Sequence, residues 1–385
     1  MRGVWGMAET LTARPRVAVL IAYTGDGGVE KMVNNLLRGF VDAGVTVDLL
    51  LLKARGGHVA GIPPEVNTHY LNARTSLLAL PAVVRYLRRV RPDALLAAKD
   101  RAARVALRAR RWAGVATRVV PRMGMHLSGS LADKSALRRW SRFRPVRRLY
   151  PEADAIVAVA GPVADDLAAI GGIPRERFAV IANPTVTPEL AARSREPVDH
   201  PWLGKDRDRP VIVAVGRLKG QKDFPTLLRA FAALKRPARL IILGEGPDRE
   251  ALERLRGELG LTDSVDLPGF TDNPYAWMRA ADLFVLSSRY EGSPNVLVEA
   301  MAVGTPVVAT DCPSGPRLLL RDGELGPLVP VGDSDALAAA MDRVLAAPPD
   351  GEALKAAVAD HTVAESSRRY LDVLLGRDAP SAGGC

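Results

Sequence analysis

Residues 16–23 (RVAVLIAY) form an unbroken apolar run rich in β-favouring side chains, the pattern of a strand buried on both faces. After TGDGG, apolar residues return at Val29, Met32, Val33, Leu36, Leu37 and Phe40, which is the spacing of one helical face. Residues 45–52 read as a second strand after Gly44. Strand, glycine loop, helix and strand make a βαβ unit and therefore a parallel sheet. The alternation continues with a helical run at 76–90 broken early by Pro81, strands at 94–98, 115–120 and 154–160, and a helix at 161–170 closed by Gly171-Gly172. A further strand at 178–182 runs into Asn183-Pro184.

Charge and proline content rise between 195 and 210 (REPVDHPWLGKDRDRP), as in a linker. A second α/β series begins at 211–215, with strands at 239–243, 265–267, 283–286 and 306–310 and a last apolar helix at 363–375. A chain of 385 residues exceeds one ordinary core, so two α/β domains are expected. Their boundaries fall at 16–190 and 210–362, joined by 191–209, with 1–15 and 377–385 as loose tails.

Composition narrows the class. Apolar residues make up 48% of the chain, yet no run reaches the roughly 18 residues of a membrane span. The first residues lack an apolar core, so no secretory signal is expected, and Met7 is an alternative start. Cys312 and Cys385 are the two cysteines, which indicates neither a disulfide framework nor a zinc site and suits a reducing cytosol. The net charge of +10 is concentrated at 101–122 and 138–148, interleaved with Leu107, Trp112, Leu137, Trp140, Phe143 and Leu149. Such segments fit a solvated arginine-rich face or a peripheral contact with an anionic membrane. A nucleic-acid-binding protein is the reading from another class, but no helix-turn-helix, zinc or RNA-binding signature accompanies the charge.

The candidate chemistry lies at strand ends of the second domain. Ser293 is placed to cap a helix that begins at Pro294, which leaves amides on Asn295, Val296 and Leu297 as a seat for an anion. Glu291 and Glu299 flank it, suited to hydroxyl groups attached to a phosphate, although singly each also reads as a turn or solvated helix residue. Arg217, Lys219 and Lys222 follow the strand at 211–215, where cations neutralise a diphosphate from the other side. In the first domain Gly25, Gly27 and Gly28 suggest a dinucleotide loop, but Glu30 occupies the last glycine position of that fingerprint and argues against NAD. Asp206-Arg207-Asp208 has a metal-binding spacing and reads as surface charge in a linker, while Asp333-Ser334-Asp335 reads as a helix start.

The string E-GSPNVLV-E followed by AMAVGTPVVATDCPSGP resembles the retaining glycosyltransferases of family GT4, which have the GT-B fold of two Rossmann-like domains facing a cleft. Gly27-Gly28-Val29-Glu30 matches that family's GGxE string, and Arg217 with Lys222 matches its Arg and Lys pair. The resemblance implies a transfer of a hexose or N-acetylhexosamine from a nucleotide diphosphate sugar, UDP favoured over GDP, to a glycan or lipid-linked acceptor. It implies that Glu291 holds donor-sugar hydroxyls and Glu299 the ribose, that Arg217, Lys222 and the amides of Asn295, Val296 and Leu297 hold the diphosphate, and that Gly269, Phe270 and the Gly244 loop meet the base. His126 and the loop of Gly27, Gly28 and Glu30 approach the sugar from the acceptor domain, and the last helix crosses back onto that domain. No cofactor and no metal are expected, since cations and helix amides stabilise the leaving diphosphate. Asn183-Pro184 departs from the commoner IPNG ending. A GT-B sugar-nucleotide epimerase is the alternative enzyme; a phosphorylase of this fold lacks its pyridoxal-phosphate lysine motif here.

Overall fold

A computed structural model describes residues 14–24, 28–132, 134–204 and 207–377. The glycines at 25 and 27, both expected tails in their larger part, Asp206 and Cys385 lie outside them.

The first domain holds a seven-stranded parallel sheet in the order β3-β2-β1-β4-β5-β6-β7. Its strands are β1 (Arg16–Thr24), β2 (Thr46–Arg55), β3 (Asn67–Tyr70), β4 (Ala94–Ala97), β5 (Arg118–Met123), β6 (Ile156–Ala158) and β7 (Phe178–Val180). The second holds six in the order β10-β9-β8-β11-β12-β13: β8 (Val211–Val215), β9 (Arg239–Leu243), β10 (Val265–Gly269), β11 (Leu283–Leu286), β12 (Val307–Thr310) and β13 (Leu328–Val329). Helices cover both faces of each sheet, which is why alternate residues of β1 divide between two core clusters: Ala18 and Leu20 pack on one side, Val17, Val19 and Ile21 on the other. The helix Val363–Leu375 buries Tyr370, Leu371, Val373 and Leu374 in the cluster that holds Met32, Leu36 and Phe40, so the end of the chain packs on the first domain.

Strand order reverses between β1 and β4 in one sheet and between β8 and β11 in the other. Crevices at such reversals open at the carboxyl ends of the strands, and this is where doubly wound sheets take ligands. In the second domain the loops leaving the two reversal strands carry Arg217 to Lys222 and Ser287 to Glu291.

Three elements differ from the sequence reading. Pro81 sits in the first turn of the helix Leu80–Val90, where a missing N–H costs nothing, after a short 3₁₀ turn at Ser76–Ala79. The basic segments are largely helices, Asp100–Ala113 and Ala136–Leu149. The end of the linker segment docks: Trp202 and Leu203 pack beside Val211 and Val213, and His200 meets Asp266 at 3.0 Å.

Candidate active site

The loop after β8 turns back on itself. A side chain at Gly216 would lie 2.7 Å from Lys222 Cε, so glycine is what lets Lys222 cross over that position. Lys222 Nζ then meets Glu291 Oε1 at 2.7 Å. Ser288 Oγ donates to the same oxygen at 2.7 Å, and Gln221 Nε2 approaches Oε2 at 3.5 Å while donating to the Tyr290 carbonyl at 3.0 Å. The Glu291 residue is 7% exposed, so its carboxylate is held from several sides before any ligand arrives. Lys219 belongs to the same cluster: burial first, then the charges of Lys222 and Arg217, hold its ammonium below the ordinary lysine range, against the pull of Glu291. Arg217 is exposed, and among the described residues no carboxylate pairs with it. These cations gather beside one carboxylate at a strand end, a field suited to an incoming anion.

The helix behind them runs Asn295–Ala302, one residue later than the sequence suggests. Pro294, with ψ at 89°, occupies the cap position expected for Ser293, and its carbonyl already accepts from the Leu297 amide at 2.9 Å and the Val298 amide at 3.2 Å. The Leu297 amide is therefore spent within the chain, contrary to the three-amide seat, and Asn295 and Val296 supply the amides without a partner among the described residues. One turn on, Glu299 is buried and paired with Lys31 Nζ at 2.8 Å. Lys31 also donates to the Tyr275 hydroxyl and lies 4.6 Å from the centre of that ring. Burial, the largest influence, works against the ammonium, but Glu299 and Tyr275 outweigh it and its pKa lies above the ordinary range. Burial and then Glu299 raise the Tyr275 phenol.

Lys31 comes from the first domain, and other contacts also cross. Met125 and Gly292 form an antiparallel bridge, with His126 and Glu291 as their chain neighbours. His126 Nδ1 accepts from the Gly129 amide at 3.1 Å, which in the neutral ring leaves the proton on Nε2 as a donor. Asp166 Oδ2 accepts from the amides of Leu127 and Ser128 at 2.6 and 3.1 Å and fixes this turn. The Gly28 carbonyl accepts from Asn295 Nδ2 at 3.5 Å, which puts the start of the first helix against the start of the second-domain helix.

Glu30 turns elsewhere. It is buried and meets Lys99 Nζ at 2.7 Å, within the first domain, because Lys99 stands at the end of the neighbouring strand β4. At the ends of the adjoining strands β9 and β10 the Gly244 amide donates to the Gly269 carbonyl at 2.8 Å, both glycines have positive φ, and Phe270 is exposed beside them. A side chain at Gly244 would fall 2.0 Å from the Gly216 carbonyl, so the candidate base loop and the phosphate loop touch through backbone.

A family model described as "Glycosyl transferases group 1" matches residues 209–347, and one described as "Glycosyl transferase 4-like domain" matches 27–184. "Lipopolysaccharide core biosynthesis glycosyltransferase LpsE" of Rhizobium meliloti (strain 1021) is 31% identical over 325 residues, 83% of this chain and 86% of that protein. The chain belongs to the group 1 glycosyltransferases. This glycosyltransferase is also 30% identical, over 84% of its own length and 88% of the other, to the Campylobacter jejuni "N-acetylgalactosamine-N,N'-diacetylbacillosaminyl-diphospho-undecaprenol 4-alpha-N-acetylgalactosaminyltransferase". Anabaena HepE, solved with UDP and glucose, superposes with a TM-score of 0.77 at 21% identity, covering 94% of this chain and all of that one, which shows the GT-B fold.

Several residues of this candidate site carry no sequence signal as single letters. Lys31 adjoins Glu30 yet points across the cleft, Tyr275 sits on a different helix, and Ser288 and Gln221 matter only through Glu291. Cys312 is buried next to this cluster; burial, and then the Glu291 carboxylate, push its thiol up to about 12. In a Cys385→Ser variant the native enzyme at mildly alkaline pH therefore takes up no iodoacetamide, while the denatured chain takes a single label, as mass spectrometry would show. Rapid labelling of native Cys312 would mean that the loop opens.

Proposed function

We propose that this glycosyltransferase retains anomeric configuration and moves a hexose or N-acetylhexosamine from a UDP-sugar to a glycan or lipid-linked acceptor in cell-surface polysaccharide or glycolipid assembly. The observation that carries the reading is the Lys222 and Glu291 pair set beside the Asn295 and Val296 amides at the reversal point of the second sheet. The diphosphate sits against those two amides, with Arg217 and Lys222 on its other side. Glu291 receives the sugar hydroxyls, Glu299 the ribose, and the Gly244, Gly269 and Phe270 loops the base. His126 Nε2–H and the Gly28 backbone face the sugar from the acceptor domain.

As the anomeric carbon–oxygen bond to phosphate breaks, negative charge grows on the departing diphosphate, and preorganised cations and amides lower the barrier there. The acceptor oxygen bonds to the anomeric carbon on the departing face, and its proton passes to the leaving phosphate oxygen. The site needs no further base for that balance. The names of the relatives from Rhizobium and Campylobacter, one in lipopolysaccharide core biosynthesis and one acting on a diphospho-undecaprenol acceptor, support the acceptor class.

A membrane contact fits the helix Ala136–Leu149. It carries six arginines and no acid, Val146 is its one buried residue, and Leu137 and Trp140 are 74% and 53% exposed. Reversing charge at Arg138 and Arg139 lowers co-sedimentation with phosphatidylglycerol vesicles about tenfold, with neutral vesicles as the control. Equal partitioning of variant and parent would remove this helix from any membrane contact.

The test of the activity is a screen of UDP- and GDP-sugars for slow hydrolysis, followed by release of free nucleotide. Turnover with a UDP-sugar, weakened in Arg217→Ala, is the expected result. Absence of binding and turnover with every donor overturns the reading.

A further inference from the structure

Arg122, at the end of β5, is a buried cation that the proposed chemistry does not use. It is 3% exposed, its Nε has no hydrogen-bond partner, and among the described residues no carboxylate pairs with it. The Tyr370 hydroxyl and the backbone at Gly124 are its uncharged neighbours. A guanidinium taken out of water normally has a carboxylate beside it, because desolvation of a lone charge is costly. Here the positive charge continues along a chain of amides. Arg122 Nη2 donates to Asn183 Oδ1 at 2.7 Å, and Asn183 Nδ2 donates to Asn295 Oδ1 at 2.7 Å. Thr185 Oγ1 approaches the same oxygen at 3.5 Å, and Asn295 Nδ2 reaches the Gly28 carbonyl. Each amide presents its oxygen toward Arg122 and its N–H₂ away from it, so the dipoles align and carry positive potential outward. The side-chain relay closes on the Gly28 carbonyl, and Asn295, its last amide, also carries the backbone N–H that opens the anion seat.

We propose that Arg122, acting through Asn183 and Asn295, is the first domain's counter-charge for the donor diphosphate. It is a positioning residue that does not touch the anion, and it completes its own charge balance only when a nucleotide is bound. The inference rests on the donor site proposed above. Asn183 and Asn295 belong to different domains, so the contribution exists only with the cleft closed.

The test is nucleotide affinity by calorimetry across the series uridine, UMP and UDP, with guanosine, GMP and GDP in parallel, for the whole enzyme, Arg122→Met, Arg122→Lys and Asn183→Ala. The expected result is a loss that grows with phosphate number: about tenfold for UDP in R122M, smaller for UMP and none for uridine. R122K recovers most of it, and N183A repeats the gradient, which decides the matter if R122M does not fold. A merely structural arginine gives the same loss for nucleoside and nucleotide. That uniform loss, or unchanged UDP affinity in both R122M and N183A, overturns the proposal while leaving the donor site standing. If the parent enzyme binds no nucleotide, the donor site fails and this inference with it.

Discussion

Replacing Lys222 with alanine lowers sugar transfer by about a thousandfold. A preorganised donor aimed at developing charge is worth ~10²–10³ in rate, and this ammonium also holds the Glu291 carboxylate in place at 2.7 Å. Its removal leaves a nearly buried carboxylate whose remaining side-chain partners among the described residues are Ser288 and Gln221. Breaking a buried pair costs stability as well, so the melting temperature of the variant is compared with the parent's before its activity is read. Glu291→Gln separates the two roles, because it keeps the shape and the Ser288 contact but lacks the charge: UDP affinity stays near that of the parent while transfer falls. Steady-state kinetics with the best donor, beside UDP calorimetry, checks both. A Lys222→Ala enzyme with parental turnover would exclude the lysine from the leaving-group field.

The second large effect is expected at Gly292. An added Cβ there would lie 2.0 Å from the Gly124 carbonyl oxygen and 3.0 Å from Met125 Cα, both backbone of the other domain. Backbone cannot rotate away as a long side chain does, so Gly292→Ala forces the two loops apart at the bridge that brings His126 beside Glu291. A displacement on the order of 1 Å at reacting groups costs roughly 10² in rate. The clash lies between domains and not inside a core, so melting temperature changes little. Gly246→Ala provides the contrast. Its Cβ would meet the Leu218 carbonyl at 2.2 Å within the second domain, where no hinge can open, and the melting temperature falls. Scattering in the presence of UDP reads the same difference as a larger radius of gyration for Gly292→Ala alone. Equal activity of Gly292→Ala and parent would mean that the bridge is not part of the working state.

The strands were legible wherever burial on both faces leaves an unbroken apolar run, as in β1, β8 and β11. β3 escaped because NTHY is a polar edge strand, recognisable only by its pairing with β2. The placement of Glu291 and Lys222 at neighbouring strand ends was also legible, since strand ends and helix starts announce where amides and cations collect. The start of the helix shifted by one because proline fixes φ but not ψ: Pro294 keeps a non-helical ψ and caps with its carbonyl. That single step takes the Leu297 amide out of the seat.

The contacts across the cleft were not legible. Lys31 and Glu299 are 268 residues apart, Asn183 and Asn295 112, and neither pair leaves a periodic or compositional mark. Basic composition also overstates free charge. Arg104 is held by Asp100, Arg110 by Asp154, Arg147 by the Ile170 carbonyl, and Arg122 is buried. Among the described residues Arg101 and, on the helix Ala136–Leu149, Arg138, Arg139 and Arg148 have no acidic partner, which only the packing could identify.

A crystal structure of the enzyme with UDP decides where the diphosphate sits. The β-phosphate is expected within hydrogen-bond reach of the Asn295 and Val296 amides, with Arg217 and Lys222 on its opposite side. A diphosphate bound elsewhere, or side chains packed over those amides with UDP present, would contradict that placement.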